Sequence, residues 1–206
     1  SGLGAVSSEN VASGQQSVTL GTLSLADNTG VASNYSLTSA TLDINAKPIS
    51  LSGSKVYDAS TTATSSALTI SGTVGGQTLT LSGNGTLSAG ADAGTNKTIN
   101  TSGLTLGNGS GGTAGIATNY SLVGGTYQMT VTQRPVTISG SRFYDSTTTV
   151  NSSDISVFNN RVGGQTLSIT GSGTVATAVA GSVKTLTLGT LTSVSYTHLT
   201  LPTISR

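Results

Sequence analysis

The chain has 206 residues, a formal net charge of +1, only 7% charged residues and no cysteine. The missing cysteine excludes a disulfide framework, a thiolate metal site and a cysteine nucleophile together. Scattered Lys and Arg without interleaved aromatics form no basic stripe, so no nucleic-acid partner is expected.

Ser, Thr and Gly make up close to half of the residues. Disorder would need low hydrophobicity combined with high net charge, and the regular supply of Leu, Val and Ile argues instead for a packed but lightly filled fold. With two Phe and no Trp, the core must come from aliphatic residues and a few Tyr. Each contributes about 1.5–3 kcal/mol when fully buried. No apolar run approaches the roughly 20 residues of a membrane-spanning helix, so no membrane insertion is expected. The opening SGLGAVSSEN lacks the basic start and apolar stretch of a signal peptide. That leaves a cytoplasmic protein or an internal piece of a longer one.

Along the chain, apolar residues alternate with small polar ones, the period of a half-buried strand. Residues 1–46 contain Asn34-Tyr35-Ser36-Leu37 and read as the C-terminal part of a repeat unit. A complete unit is predicted over 47–133. It opens on Lys47-Pro48 and an alternating strand, reaches Tyr57-Asp58 and a Thr-rich turn, then continues through the strand with Leu79 and Leu81. The unit repeats the NYSL motif at Asn119-Tyr120-Ser121-Leu122 and closes on a strand with Tyr127, Met129 and Val131. Gly-Gly and Asn-Gly pairs fall between the strands as turn signals.

At Arg134-Pro135 the pattern starts again. Tyr144-Asp145 follows Tyr57-Asp58 at an offset of 144 − 57 = 87, and VGGQ at 162–165 follows VGGQ at 74–77 at 162 − 74 = 88. Residues 134–193 thus read as the N-terminal part of a third unit. Residues 194–206 break the pattern and read as a non-native tail. The predicted fold is all-β, with tandem β-sandwich-like modules of about 87 residues. A β-solenoid shaft is the alternative, since little Lys or Pro protects the edge strands. Pro48 and Pro135 would fix φ where one unit runs into the next.

Tyr57-Asp58 and Tyr144-Asp145 admit two readings. A carboxylate beside hydroxyls could hold calcium, but calcium wants six to eight oxygens and several carboxylates. The preferred reading is structural, with a buried Tyr and an Asp accepting amides of the following turn. The Asn34-Tyr35 and Asn119-Tyr120 motifs match a glycosylation acceptor, as chance allows in a chain so rich in Ser and Thr. Their structural reading is an Asx turn entering a strand whose Tyr and Leu face opposite sides. A Ser-His-Asp triad would need His198, which lies in the tail, and paired carboxylates would have to come from seven acidic residues. No catalytic, cofactor-binding or metal-binding residue is therefore assigned, and no enzyme is expected.

The ordered set of Lys/Arg-Pro start, (Lys/Arg)-Val/Phe-Tyr-Asp and late Asn-Tyr-Ser-Leu resembles the YDG repeat domain of bacterial surface adhesins of the filamentous-haemagglutinin type. The resemblance implies an extracellular or cell-surface, outer-membrane-associated location, reached by two-partner secretion. It also implies a non-catalytic stalk or spacer in cell adhesion, with neighbouring repeats of the same chain as partners. The alternative is a specific module for host-surface glycans or receptors. This sequence departs from the family at the third motif position, which is Ala59 and Ser146 rather than Gly. A strictly positive φ there would favour Gly, so a negative φ is predicted at both.

Overall fold

The computed structural model describes residues 2–194. Among these the chain is all-β, built of short strands and single-turn 3-10 segments, with no α-helix. It divides into two compact units, Ser1–Thr132 and Gln133–Arg206. The tail expected to be non-native lies outside the described residues except for Val194.

The first unit opens with a three-stranded antiparallel sheet of β1 (Ala5–Val6), β2 (Gln16–Thr19) and β3 (Ala40–Leu42). Gln16 is buried there. Its Oε1 accepts from the Ser8 N–H at 3.0 Å and the Ser7 hydroxyl at 3.2 Å, and its Nε2 donates to the Asn10 carbonyl at 2.8 Å. Those bonds offset the cost of taking an amide out of water.

The main body follows, with β4 (Lys47–Pro48), β5 (Ser50–Val56), β6 (Thr62–Thr64), β7 (Leu68–Ser71), β8 (Leu79–Leu87) and β9 (Gly94–Asn100). It is completed by β10 (Leu104–Asn108), β11 (Tyr120–Ser121) and β12 (Tyr127–Thr132). The seven-stranded sheet runs β10-β8-β9-β12-β5-β7, and β6 also pairs with β8. Because β6 follows β5 directly in the chain, its pairing with β8 draws the far side of the sheet back toward β5. The result is one nearly closed, barrel-like sheet where two stacked sheets were predicted. The cause is β12, which runs antiparallel to β9 on one edge and parallel to β5 on the other. It stitches together strands that a sandwich would keep in separate layers. The solenoid alternative would have placed successive short coils side by side, and no such stack forms in this body.

Ile49, Leu51, Leu87, Ile99, Leu104, Met129 and Val131, with Ala63 and Tyr120, form the core. Alternation along β12 points Met129 and Val131 inward while Gln128 and Thr132 stay exposed, as the two-residue strand period demands. β5 comes very close to the 3-10 turn before β7 (Ser65–Ala67), and β13, the strand at Thr137–Gly140, comes as close to the turn Ser152–Asp154. A Cβ at Gly53 would lie 2.1 Å from the Ala67 carbonyl oxygen, and one at Gly140 would lie 1.8 Å from that of Asp154. Only glycine lets the backbones meet at these two equivalent points.

The second unit contains β13 (Thr137–Gly140), β14 (Thr149–Asn151), β15 (Ile155–Asn159), β16 (Ser168–Thr170), β17 (Ser172–Val175), β18 (Leu186–Thr187) and β19 (Thr192–Val194). All pairs are antiparallel, in the combinations β13–β15, β14–β17–β18 and β16–β19.

Candidate functional site

The repeated Tyr-Asp pair sits at the corner between β5 and β6, the seam where the sheet of the first unit nearly closes. The ammonium of Lys55, near the end of β5, reaches across it. It donates to the Ser60 carbonyl at 2.7 Å, the Thr62 carbonyl at 2.9 Å and Asp58 Oδ1 at 2.9 Å. The same Asp58 oxygen accepts the Ser60 N–H at 2.9 Å, and Ser60 Oγ accepts the Thr62 N–H at 3.0 Å. All three ammonium protons are thereby used, and two carbonyls outside the sheet ladder are satisfied.

The second copy reproduces this clamp with Arg. Arg142 donates to Asp145 Oδ2 at 2.8 Å and to the Thr147 carbonyl at 2.6 Å, while Asp145 Oδ1 accepts the Thr147 N–H at 3.0 Å. In both copies the carboxylate is occupied by its own chain's cation and amide. Among the described residues no group of three or more His, Cys, Asp or Glu comes together.

The backbone at the corner corrects the negative φ predicted for the third motif position. Ala59 and Ser146 both have φ of 60°, the left-handed region that costs a non-glycine residue roughly 1–2 kcal/mol. The bonds on either side hold it there, since the Asp58 and Asp145 carboxylates capture the amide two residues on only if the chain turns this way. Ala59→Gly is accordingly expected to stabilise the unit, by up to about 1 kcal/mol after the extra unfolded-state freedom of Gly is subtracted. Urea titration of the two forms checks the sign.

Electrostatics at the corner give a pH dependence. The hydrogen bond from Lys55 holds the Asp58 carboxyl below its ordinary 3.8. Asp145 is lowered first by the Thr147 amide and then by the Thr147 hydroxyl, with the Arg142 charge adding to it. A carboxyl whose pKa falls on folding adds stability that is fully present above its unfolded value, about 3.9, and disappears as pH drops through the folded value. Melting temperature should therefore be unaffected by these groups from pH 7 to about 5 and fall below about 4. The D58N/D145N double variant should show a shallower acid limb. An unchanged limb in that variant would disprove the assignment.

The two tyrosines of the motif do not share one environment. Tyr57 packs half-buried against the core and its N–H donates to the Thr132 carbonyl at 2.9 Å. Tyr144 is 68% exposed, against the burial predicted for both.

The NYSL copies also diverge. Each Asn ends a 3-10 turn, Ala32–Asn34 and Ala117–Asn119. Asn119 Oδ1 accepts the Val11 N–H at 2.8 Å and its Nδ2 donates to Asn10 Oδ1 at 2.7 Å, a bond across more than a hundred residues rather than a local Asx turn. Tyr120 is buried. Its hydroxyl donates to Gln77 Oε1 and accepts the Val74 N–H. Tyr120 and Leu122 both pack on the core, which corrects the prediction that they face opposite sides: residues two apart on a strand share a face. Asn34 and Tyr35 are exposed.

The prolines flank the units. Pro48 pairs with Ser121 in the parallel β4–β11 ladder, and the Pro135 carbonyl accepts from Asn160 Nδ2 at 2.8 Å. Lys55, Arg142 and Gln77 stand in the sequence only as members of recurring motifs, with no role of their own assigned. Their signal was present in the recurrence of Lys/Arg three residues before Asp and of VGGQ.

Comparison with curated proteins and with solved structures returned no match. The family model of the YDG domain matches residues 43–131. That span takes in the barrel-like sheet, the Lys55–Asp58 corner and the buried Tyr120, and all but the last residue of the closing strand: residues 43–131 are a YDG domain.

Proposed function

We propose that the chain is a non-catalytic structural repeat of a large bacterial cell-surface adhesin, serving as a stalk or spacer in adhesion. In this reading the modules of about 87 residues follow one another in tandem, at an extracellular or outer-membrane-associated location. Their partners are neighbouring repeats of the same chain. The observation that carries the reading is the recurrence of one Lys/Arg–Asp clamp at an offset of 145 − 58 = 87. The residues most conspicuous in the repeat are consumed in holding a corner, which is what a repeated structural element requires and a repeated catalytic site does not.

The test uses chains carrying increasing numbers of the 47–133 unit. Small-angle scattering should show the maximum dimension growing in proportion to unit number, and a glycan array should show no competable binding. Saturable binding to one glycan would replace the spacer reading with a carbohydrate-recognition module.

A further inference from the structure

Strands β7 and β8 are consecutive in the chain, yet they do not pair. β7 is bonded to β5, whereas β8 is bonded to β6, β9 and β10. Neighbours in sequence usually become neighbours in a sheet, and β6 is the reason these two do not. It pairs with β8 as far as Thr64–Asn84. The 3-10 turn Ser65–Ala67 then carries the chain across to β5, where Leu68 pairs with Gly53. The start of β8 keeps β10 on one edge and is left without a strand on the edge toward β7.

A recess of about 340 Å³ separates the two strands. Leu68 and Ile70 line it from β7, Leu79 and Leu81 from β8, and Thr73 and Gln77 from the loop that joins them. The four aliphatic residues also pack on the core, so these walls are fixed. Gln77 is fixed as well. The buried Tyr120 hydroxyl donates to its Oε1 and accepts the Val74 N–H of the same loop. With Oε1 held, the amide plane is set, and Gln77 Nε2 has no hydrogen-bond partner among the described residues.

We propose that this recess binds a small uncharged molecule with a short aliphatic body and a carbonyl group at one end. The walls take the aliphatic body, and the carbonyl accepts from Gln77 Nε2. The volume lies at the lower end of the range for ligand pockets, about 300–1,000 Å³. Other occupants fit less well. The chain's own backbone closes both ends, at the turn 65–67 and the loop 72–78, so an extended strand cannot lie through it. No charged side chain lines the recess to balance an ion, and no aromatic ring lines it to stack on a sugar.

The second copy differs at these positions. By strand register Ile155 stands for Leu68 and Phe158 for Ile70, and Arg161 stands for Thr73 at 161 − 73 = 88. The Arg161 guanidinium donates to the Phe158 carbonyl at 2.9 Å and the Gln165 carbonyl at 3.0 Å. Both copies keep the Lys/Arg–Asp clamp, so an uncharged aliphatic recess is not a requirement of the shared frame. The inference goes beyond the spacer reading and does not depend on it.

The test is a titration of hexanamide into the isotope-labelled full chain, followed by NMR. Saturable shifts are expected at the Gln77 side-chain amide and at the methyls of Leu68, Ile70, Leu79 and Leu81. For so few ligand atoms the expected Kd is about millimolar. Hexylammonium has the same alkyl chain but a charge and no acceptor, and should bind at least about tenfold more weakly. Ile70→Phe and Thr73→Arg, the residues of the second copy, should each weaken hexanamide binding by about tenfold or more. Circular dichroism checks that these variants fold, and the comparison of amide with ammonium needs no variant. Absence of saturable shifts up to the solubility limit of hexanamide, equal binding of hexylammonium, undiminished binding by folded Ile70→Phe, or shifts centred on Gln165 would each overturn the proposal.

Discussion

Met129→Ala is expected to be the most damaging single truncation in the first unit, lowering its stability by about 2–5 kcal/mol. Met129 is 1% exposed at the middle of the core, on the one strand that contacts both β5 and β9. Truncation removes buried apolar surface and leaves a cavity that β12 cannot collapse into, because its backbone is held on both edges. The effect on this small core should exceed that of an aliphatic truncation at its rim, such as Leu106→Ala, since Leu106 is only partly buried. Chemical denaturation of the full chain, monitored by a probe in the first unit, measures both. A loss below about 1 kcal/mol for Met129→Ala would show that β12 is not the keystone of the sheet.

Lys55→Met should cost about 2–3 kcal/mol, through carbonyls left unsatisfied in a partly buried seam, while Lys55→Arg should stay within about 1 kcal/mol of the parent. The Lys55 side chain is 12% exposed and Asp58 47%, so the ion pair itself, open to solvent, contributes little. The larger share comes from the Ser60 and Thr62 carbonyls, which lose their donor. Arg142 makes equivalent contacts in the second copy, with its guanidinium on Asp145 and on the Thr147 carbonyl. That arrangement is why the conservative change should be tolerated. If Met and Arg prove equally harmful, the clamp is not the source of the stability. If Asp58→Asn matches the loss at Lys55, the ion pair matters more than the carbonyl contacts.

Much of the fold is legible in the alternation of apolar and small polar residues. Met129 and Val131 declare an inward face two residues apart, and the recurrence of Tyr-Asp and VGGQ marks equivalent places 87 or 88 residues apart. The corner was legible as a structural feature from Asp and the Thr-rich turn that follows. Its cation was not singled out, although Lys55 and Arg142 recur with it, because an exposed-looking basic residue on a strand gives no sign of which carbonyls it will reach.

The amino-acid sequence by itself determined the strand class, the repeat offset and the residue types at the corner, because these depend on local periodicity and on recurrence. Only the tertiary structure decided that β12 lies parallel to β5, that Tyr120 is buried while Tyr35 is not, and that Ala59 and Ser146 take a positive φ. The first two follow from partners far away in the chain, β9 and β5 for β12 and Gln77 and Val74 for Tyr120; the positive φ is set within the corner, by the carboxylate that takes the amide two residues on and the cation that holds the carbonyl of Ser60 or Thr147. A strand of given pattern can pair with either edge of several neighbours, and the choice rests on which combination fills the core, a sum over residues that no local window contains.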